Sequence, residues 1–109
     1  MGSTFVWPKE DAVADALAEF IYDFGGSSHQ VRCDRAYAPL ADRFGLSELQ
    51  RSITRHDLSG DGISTPKWHN AVQWGRKQLV KRGLLVRRAA RGVWQLTEAG
   101  VAFVRGRRK

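Results

Sequence analysis

The chain has 109 residues, with 18 Lys and Arg against 11 Asp and Glu, and its formal net charge is +7. A chain of this size buries roughly 60–70% of the surface that its unfolded form exposes, which supports one hydrophobic core and excludes a second. Its apolar runs are far shorter than the ~20 residues of a membrane span, and no basic and apolar leader opens it, so we expect a soluble, cytoplasmic protein. Cys33 is the only cysteine, which excludes an internal disulfide framework and a multi-thiolate zinc site.

The charge is distributed unevenly along the chain. Residues 1–30 hold one Lys and five acidic residues, whereas residues 67–109 hold twelve basic residues and one acid, Glu98. A solubilising surface would scatter its bases, whereas a surface for a polyanion concentrates them, so nucleic acid is the leading partner. An anionic membrane ranks lower, because the C-terminal third lacks one long helix with a basic and a fully apolar face.

The first half of the chain predicts three helices. Pro8, followed by Lys9 and two acids, is typical of a helix start, and apolar residues recur at helical spacing from there to Phe24. Residues 27–32 predict a loop with room for a short strand. A second helix is expected from about Ala38 to Phe44, because Pro39 is costly beyond a first turn.

A third short helix is predicted over residues 47–55, because Ser47 and Gln50 have the spacing of a capping box. The following polar stretch, residues 56–64, imitates the opening of a calcium loop. The twelfth position, where such a loop needs a bidentate Glu, is Trp68. We therefore expect a turn-rich connector and no calcium site.

The best-marked helix spans residues 66–82, with Thr65 as N-cap, Pro66 at its first position and Gly83 past its end. One face is apolar, and the opposite face is polar. The apolar face carries Trp68, Ala71, Val72, Gly75 and Leu79, and the polar face carries Asn70, Gln73, Lys77 and Lys81. Trp74 lies at the edge between the faces, where a place in the core is favoured modestly over contact with a ligand.

After Gly83 the pattern predicts a two-stranded wing near residues 84–96, a hairpin with an arginine-bearing tip in which Trp94 packs on the core. Thr97 then caps a last helix that runs to about Arg105. The fold class is therefore mainly α with a small β-hairpin, a winged helix-turn-helix with a three-helix core, a recognition helix and a wing. A single domain fills residues 1–109, with 1–8 as an N-terminal arm and 105–109 as a frayed basic tail.

In this fold a helix enters the major groove and the wing reaches flanking phosphates, so double-stranded DNA is the expected partner. The base contacts are expected from Asn70, Gln73, Trp74 and His69. The backbone contacts are expected from Lys67, Arg76, Lys77, Lys81, Arg87, Arg88 and Arg91. The alternative interpretation is that the exposed amides only contact solvent and that the cations belong to a solvated polar face.

The chain resembles the N-terminal domain of Mrr-type restriction endonucleases, and its most specific matches lie in the C-terminal half. The residues that match are Asn70, Trp74, Arg76, Leu79, Gly83, Leu84, Leu85, Arg91, Gly92, Trp94, Leu96, Thr97 and Gly100. The resemblance covers about residues 9–104. Ala71 and Gly75 depart from the pattern at positions next to the expected base contacts, so base-contact rules do not transfer.

The resemblance implies the DNA-reading part of a modification-dependent restriction system, with N6-methyladenine as the first choice of modified base and 5-methylcytosine as the second. We expect no catalytic residues, no cofactor and no metal, since His29 and Cys33 have helical spacing but lack a third ligand. A nuclease domain would lie elsewhere in the native protein or in a partner. The alternatives are a sequence-specific transcription regulator and a winged helix that binds protein.

Overall fold

The computed structural model describes residues 6–108, so residues 1–5 of the expected N-terminal arm and Lys109 of the expected tail lie outside the described residues. The elements are α1 (Glu10–Phe24), β1 (Gln30–Arg32), α2 (Tyr37–Arg43), α3 (Glu48–Ser52), α4 (Arg55–Ser59), α5 (Lys67–Lys81), β2 (Val93–Gln95) and α6 (Glu98–Arg107). Short 3-10 turns at Gly26–Ser28 and Cys33–Arg35 flank β1.

The core forms where α5 packs along α1. Gly75 permits this close approach, because a Cβ on it would lie 3.2 Å from the backbone nitrogen of Ala14. Trp68, Val72 and Leu79 are buried on the same side of α5, as the periodicity predicts. Burial of this apolar stripe fixes which face of α5 is left for solvent.

Two of the predicted helix caps are confirmed, and one is displaced. Ser47 and Gln50 form a full capping box at α3, and the Thr97 hydroxyl accepts a hydrogen bond from the Gly100 backbone at α6. The N-cap of α5 is Pro66 and not Thr65. Thr65 lies outside the helix, where its carbonyl accepts a hydrogen bond from the Arg55 backbone at 3.1 Å.

The expected connector after residue 55 begins instead with a helix. The predicted third helix ends at Ser52, and α4 starts after Thr54, whose hydroxyl and backbone N–H form a capping box with Asp57. Gly60 ends α4 in the left-handed region at φ 71°. Residues 53–66 thus form a segment between α3 and α5 that contains the short helix α4.

The sheet differs from the predicted wing. β1 and β2 pair antiparallel, with Val31 opposite Trp94, whereas residues 84–87 form no regular strand. Their pairing with the β2 side is a single bridge between Leu85 and Leu96. Hydrogen bonds from the Val86 backbone N–H to Gln95 and from the Thr97 backbone N–H to Leu84 flank it. The chain leaves the sheet there because a turn begins at Arg87. The wing is consequently the loop 87–92, and the mainly helical fold with its small antiparallel sheet is compatible with a winged helix.

Two predictions at helix ends are also corrected. Phe24 was expected on the core stripe of the first helix, but it is 71% exposed. It lies at the last position of α1, beside an open hollow that Val31 and Pro39 also line, and contacts Phe20 at 4.9 Å between ring centroids. The last helix continues past Arg105 to Arg107, because the basic residues there find acidic partners on α1.

Candidate nucleic-acid interface

The acidic N-terminal segment and part of the basic C-terminal segment neutralise each other along α1. The Arg108 guanidinium contacts both carboxylate oxygens of Asp23, at 2.6 and 2.8 Å. Arg107 contacts Glu19 at 3.1 Å, and Arg82 contacts Asp15 at 3.2 Å. These pairs remove three basic residues from the surplus that the sequence places in the C-terminal third.

The remaining surplus collects on another surface. A cavity of about 630 Å³ lies between the C-terminal half of α5 and the start of the wing, and we call it the cationic groove. Its lining is Arg76, Lys77, Val80, Lys81, Arg87 and Arg88. Over residues 6–108, none of these five cations pairs with a carboxylate. Like charges held together without counterions create a positive potential that attracts a polyanion.

The predicted backbone contacts are therefore separated by the fold into those in the groove and those outside it. Arg91 is exposed in the wing but does not line the groove, and Lys67 lies beside Arg55 and Asp61 in a separate hollow of about 460 Å³. Arg76 is half-buried, and its Nε is enclosed without a hydrogen-bond partner. The structure thus brings five of the seven predicted backbone contacts together.

Trp74 is not in the core. Its side chain is 53% exposed, and the Lys77 ammonium lies 4.8 Å from the ring centroid. The modest preference for a core position was wrong, because within residues 6–108 no element packs over this edge of α5 closely enough to bury the indole. An exposed indole beside a cation is an apolar surface available to a ligand.

The expected amide contacts differ in their surroundings. Gln73 is exposed, and its Nε2 donates to the Tyr37 hydroxyl at 3.3 Å. Asn70 is half-buried, and its Nδ2 is enclosed without a hydrogen-bond partner. The amide nitrogen that Asn70 would need as a donor to a base edge is therefore covered in this arrangement, whereas that of Gln73 is accessible.

His69 and Tyr37 form a stacked pair next to Gln73. Their ring centroids are 3.9 Å apart with an interplanar angle of 13°, and burial lowers the pKa of His69. Tyr37 also accepts a hydrogen bond from the Trp68 indole at its backbone carbonyl, at 2.7 Å. Sequence analysis missed Tyr37, because its proximity to Gln73 depends on how α2 crosses α5 and leaves no local signal.

No group of three His, Cys, Asp or Glu side chains within residues 6–108 is arranged to hold a metal ion. In the stretch that imitates a calcium loop, Asp61 accepts a hydrogen bond from the Ile63 backbone and pairs with Arg55 at 3.0 Å. The Asp61 carboxylate is thereby occupied by contacts within the segment 53–66.

The fold and the cationic groove define a small, mainly helical domain with basic side chains collected beside the C-terminal half of α5. The chain belongs to the Mrr N-terminal domain family, whose model matches residues 15–106, and the expected resemblance is confirmed. This family describes an N-terminal domain and not the nuclease domain of these restriction proteins. Comparisons with curated proteins and with solved structures give no significant match. None of the helices in the described part of the chain is long and apolar enough to cross a membrane.

The ion pairs on α1 predict a pH dependence of stability. Hydrogen bonding from Arg108 holds the pKa of Asp23 below its ordinary value of 3.8. A carboxyl group with a lower pKa in the folded state stabilises the fold above its unfolded pKa, and this stabilisation is lost as the pH falls through the folded pKa.

We therefore expect the difference in melting temperature between the wild type and Asp23→Asn to be largest near neutral pH and to shrink as the pH falls below 3.8 and through the lowered pKa of Asp23. The effect is small, because Asp23 is partly exposed and exposed pairs are worth about 0–1 kcal/mol. Differential scanning calorimetry of both proteins over this range measures it, and a difference that grows towards acid pH would contradict the assignment.

Proposed function

We propose that this domain binds duplex DNA and serves as the specificity module of a modification-dependent restriction system. The observation that carries the proposal is the cationic groove, in which five basic side chains that pair with no carboxylate among residues 6–108 flank the exposed face of α5. In this proposal α5 enters the major groove, and the wing carries Arg87, Arg88 and Arg91 to the neighbouring phosphates. The family membership supports the link to restriction systems.

The proposed contacts follow the order of side chains along α5. Gln73 and Trp74 face the base edges, with His69 nearer the N-terminus, and Asn70 joins them only if its covered Nδ2 becomes accessible on binding. Arg76, Lys77 and Lys81 contact phosphates. The burial of His69 lowers its pKa, so the imidazole is neutral at neutral pH and adds no phosphate charge contact. Lys67 lies outside the groove, and we assign it to the DNA backbone that flanks the central contacts.

Methylated DNA is the proposed ligand because Trp74 offers an exposed apolar ring on the face that would meet the bases. A methyl group on adenine N6 or cytosine C5 projects into the major groove, where its burial stabilises the complex by about 0.8 kcal/mol. That is roughly fourfold in affinity for one methyl group and about fifteenfold for two. N6-methyladenine is the first choice, and 5-methylcytosine is the second.

We expect a competition titration at fixed salt to separate three otherwise identical duplexes: unmodified, N6-methylated on adenine in both strands, and 5-methylated on cytosine. The wild type should prefer the N6-methylated duplex by about fourfold to fifteenfold. Trp74→Ala should remove this preference, because the ring that would bury the methyl group is gone, and the three duplexes should then bind with equal affinity.

Equal affinity for all three duplexes, over several sequence contexts, would eliminate methyl reading and leave a plain DNA-binding domain such as a transcription regulator. A protein-binding winged helix is distinguished by salt. Retention on heparin that falls with salt supports nucleic acid as the partner, whereas salt-insensitive capture of a protein would contradict it.

A further inference from the structure

We propose that a hollow beside the end of α1 docks an acidic peptide segment of a partner protein, which inserts one apolar side chain there. The hollow has a volume of about 440 Å³, and we call it the Phe24 hollow. Its lining is Phe20, Phe24, Val31, Arg32, Arg35 and Pro39. None of these residues lines the cationic groove, so the proposal adds a second binding surface and does not depend on DNA binding.

The apolar part of the hollow joins a buried floor to an exposed ring. Phe20 and Val31 are buried in the core, whereas Phe24 is the most exposed aromatic side chain among residues 6–108. The rings of Phe20 and Phe24 lie 4.9 Å apart between centroids, and Pro39 is exposed on the α2 side. A partner side chain placed here would remove the Phe24 ring and its own apolar surface from water together.

Two guanidinium groups flank this apolar surface. Nε of Arg32 lies 3.5 Å from Asp34, and both side chains are mostly exposed, so this pair contributes little to stability. Arg35 pairs with no carboxylate in the described part of the chain. The hollow therefore offers an apolar contact beside a free guanidinium, which is complementary to an apolar side chain flanked by Asp or Glu.

Single-stranded nucleic acid fits the hollow less well than a peptide does. Proteins that bind single strands combine stacking on aromatic rings with a line of cations that follows the phosphates. At this hollow Arg35 is the one cation without a carboxylate partner among residues 6–108. The other lining residues, apart from Arg32, are apolar and offer no side-chain partner to the polar edge of a base, whereas an apolar peptide side chain needs none.

Selection from a phage-displayed library of short random peptides tests the proposal on the full chain. The immobilised protein carries Ala in place of Lys77, Lys81 and Arg88, so that acidic peptides do not collect in the cationic groove. We expect the enriched peptides to share one large apolar residue with Asp or Glu within a few positions of it.

Calorimetric titration with a synthetic copy of an enriched peptide then measures each part of the hollow in the same background. Phe24→Ala should weaken binding about tenfold or more, because it removes the ring that the peptide covers. Arg35→Glu should weaken it about fivefold or more, and this variant should prefer a copy of the peptide in which Lys replaces the acids. A general loss of structure would not reverse the charge preference.

Leu49→Ala and Arg105→Glu are the matched controls, because both residues are exposed and lie outside the hollow. They should change the peptide affinity by less than about twofold. Phe24→Ala should leave the melting temperature nearly unchanged, because its side chain is largely exposed. In an otherwise wild-type chain, Phe24→Ala should also bind duplex DNA with unchanged affinity.

The proposal would be overturned by a selection that enriches no peptide, by enriched peptides without acidic residues, or by a peptide affinity that Phe24→Ala leaves unchanged. Binding of single-stranded oligothymidylate that Phe24→Ala abolishes would assign the hollow to nucleic acid instead. A dimer in sedimentation equilibrium that Phe24→Ala dissociates would assign it to a second copy of the chain. Failure of the wild type to bind duplex DNA would contradict the proposed function alone, because the peptide test uses no DNA.

Discussion

Replacing Lys77, Lys81 and Arg88 together by Ala should lower the affinity for any duplex about a hundredfold at about 0.15 M salt. The three side chains line the cationic groove and have no carboxylate partner in the described part of the chain. Each phosphate contact releases close to one condensed counterion, so three lost contacts remove a large share of sequence-independent binding. The loss should be the same for methylated and unmodified duplexes, because phosphates carry no sequence information.

A matched control removes the same charge elsewhere. Arg35, Arg43 and Arg105 are exposed and lie outside the groove. Their joint replacement by Ala should weaken binding by less than about threefold, because interactions beyond roughly 8–10 Å are screened at this salt. Fluorescence anisotropy with a labelled duplex measures both variants, and equal losses would mean that net charge and not the groove binds DNA.

Trp68→Ala should destabilise the domain by about 3–5 kcal/mol, which is a large part of the roughly 5–15 kcal/mol that holds a small domain folded. The Trp68 side chain is 1% exposed and contacts Phe44 edge to face at 6.0 Å between ring centroids. Its removal leaves a cavity and takes the indole donor from the Tyr37 carbonyl.

The same helix offers the control, because Trp74 is exposed and contacts Lys77. Trp74→Ala should change the free energy of unfolding by no more than about 0.5 kcal/mol. Urea unfolding followed by circular dichroism measures both variants. Similar destabilisation by the two substitutions would contradict the assignment of Trp68 to the core and Trp74 to the ligand face.

Local signals predicted the elements that carry the site. The apolar stripe of α5 and the Gly83 stop predicted its extent within a residue or two, because a helix must bury one face and end where a left-handed residue is available. The α4 helix was not predicted, although Thr54 and Asp57 have the spacing of a helix cap. Its five residues lack apolar periodicity, and the stretch was interpreted as a loop because it resembles the start of a calcium loop.

Contacts between distant segments could not be predicted in the same way. The charge count predicted a surplus of basic residues in the C-terminal third. It could not predict which of them pair with acids, because pairs such as Arg108 with Asp23 join residues 85 positions apart. The strand partner of β2 and the place of Tyr37 beside Gln73 likewise follow from packing between helices and strands. Local periodicity carries no information about such pairings.

The central claim is that the cationic groove binds the phosphate backbone of duplex DNA. The most direct measurement is the slope of the logarithm of the binding constant against the logarithm of salt concentration for the wild type. If about five phosphates are neutralised, the slope is about −4.5, and the Lys77, Lys81 and Arg88 triple variant brings it to about −2. A wild-type slope near zero, or an unchanged slope in the triple variant, would contradict the claim.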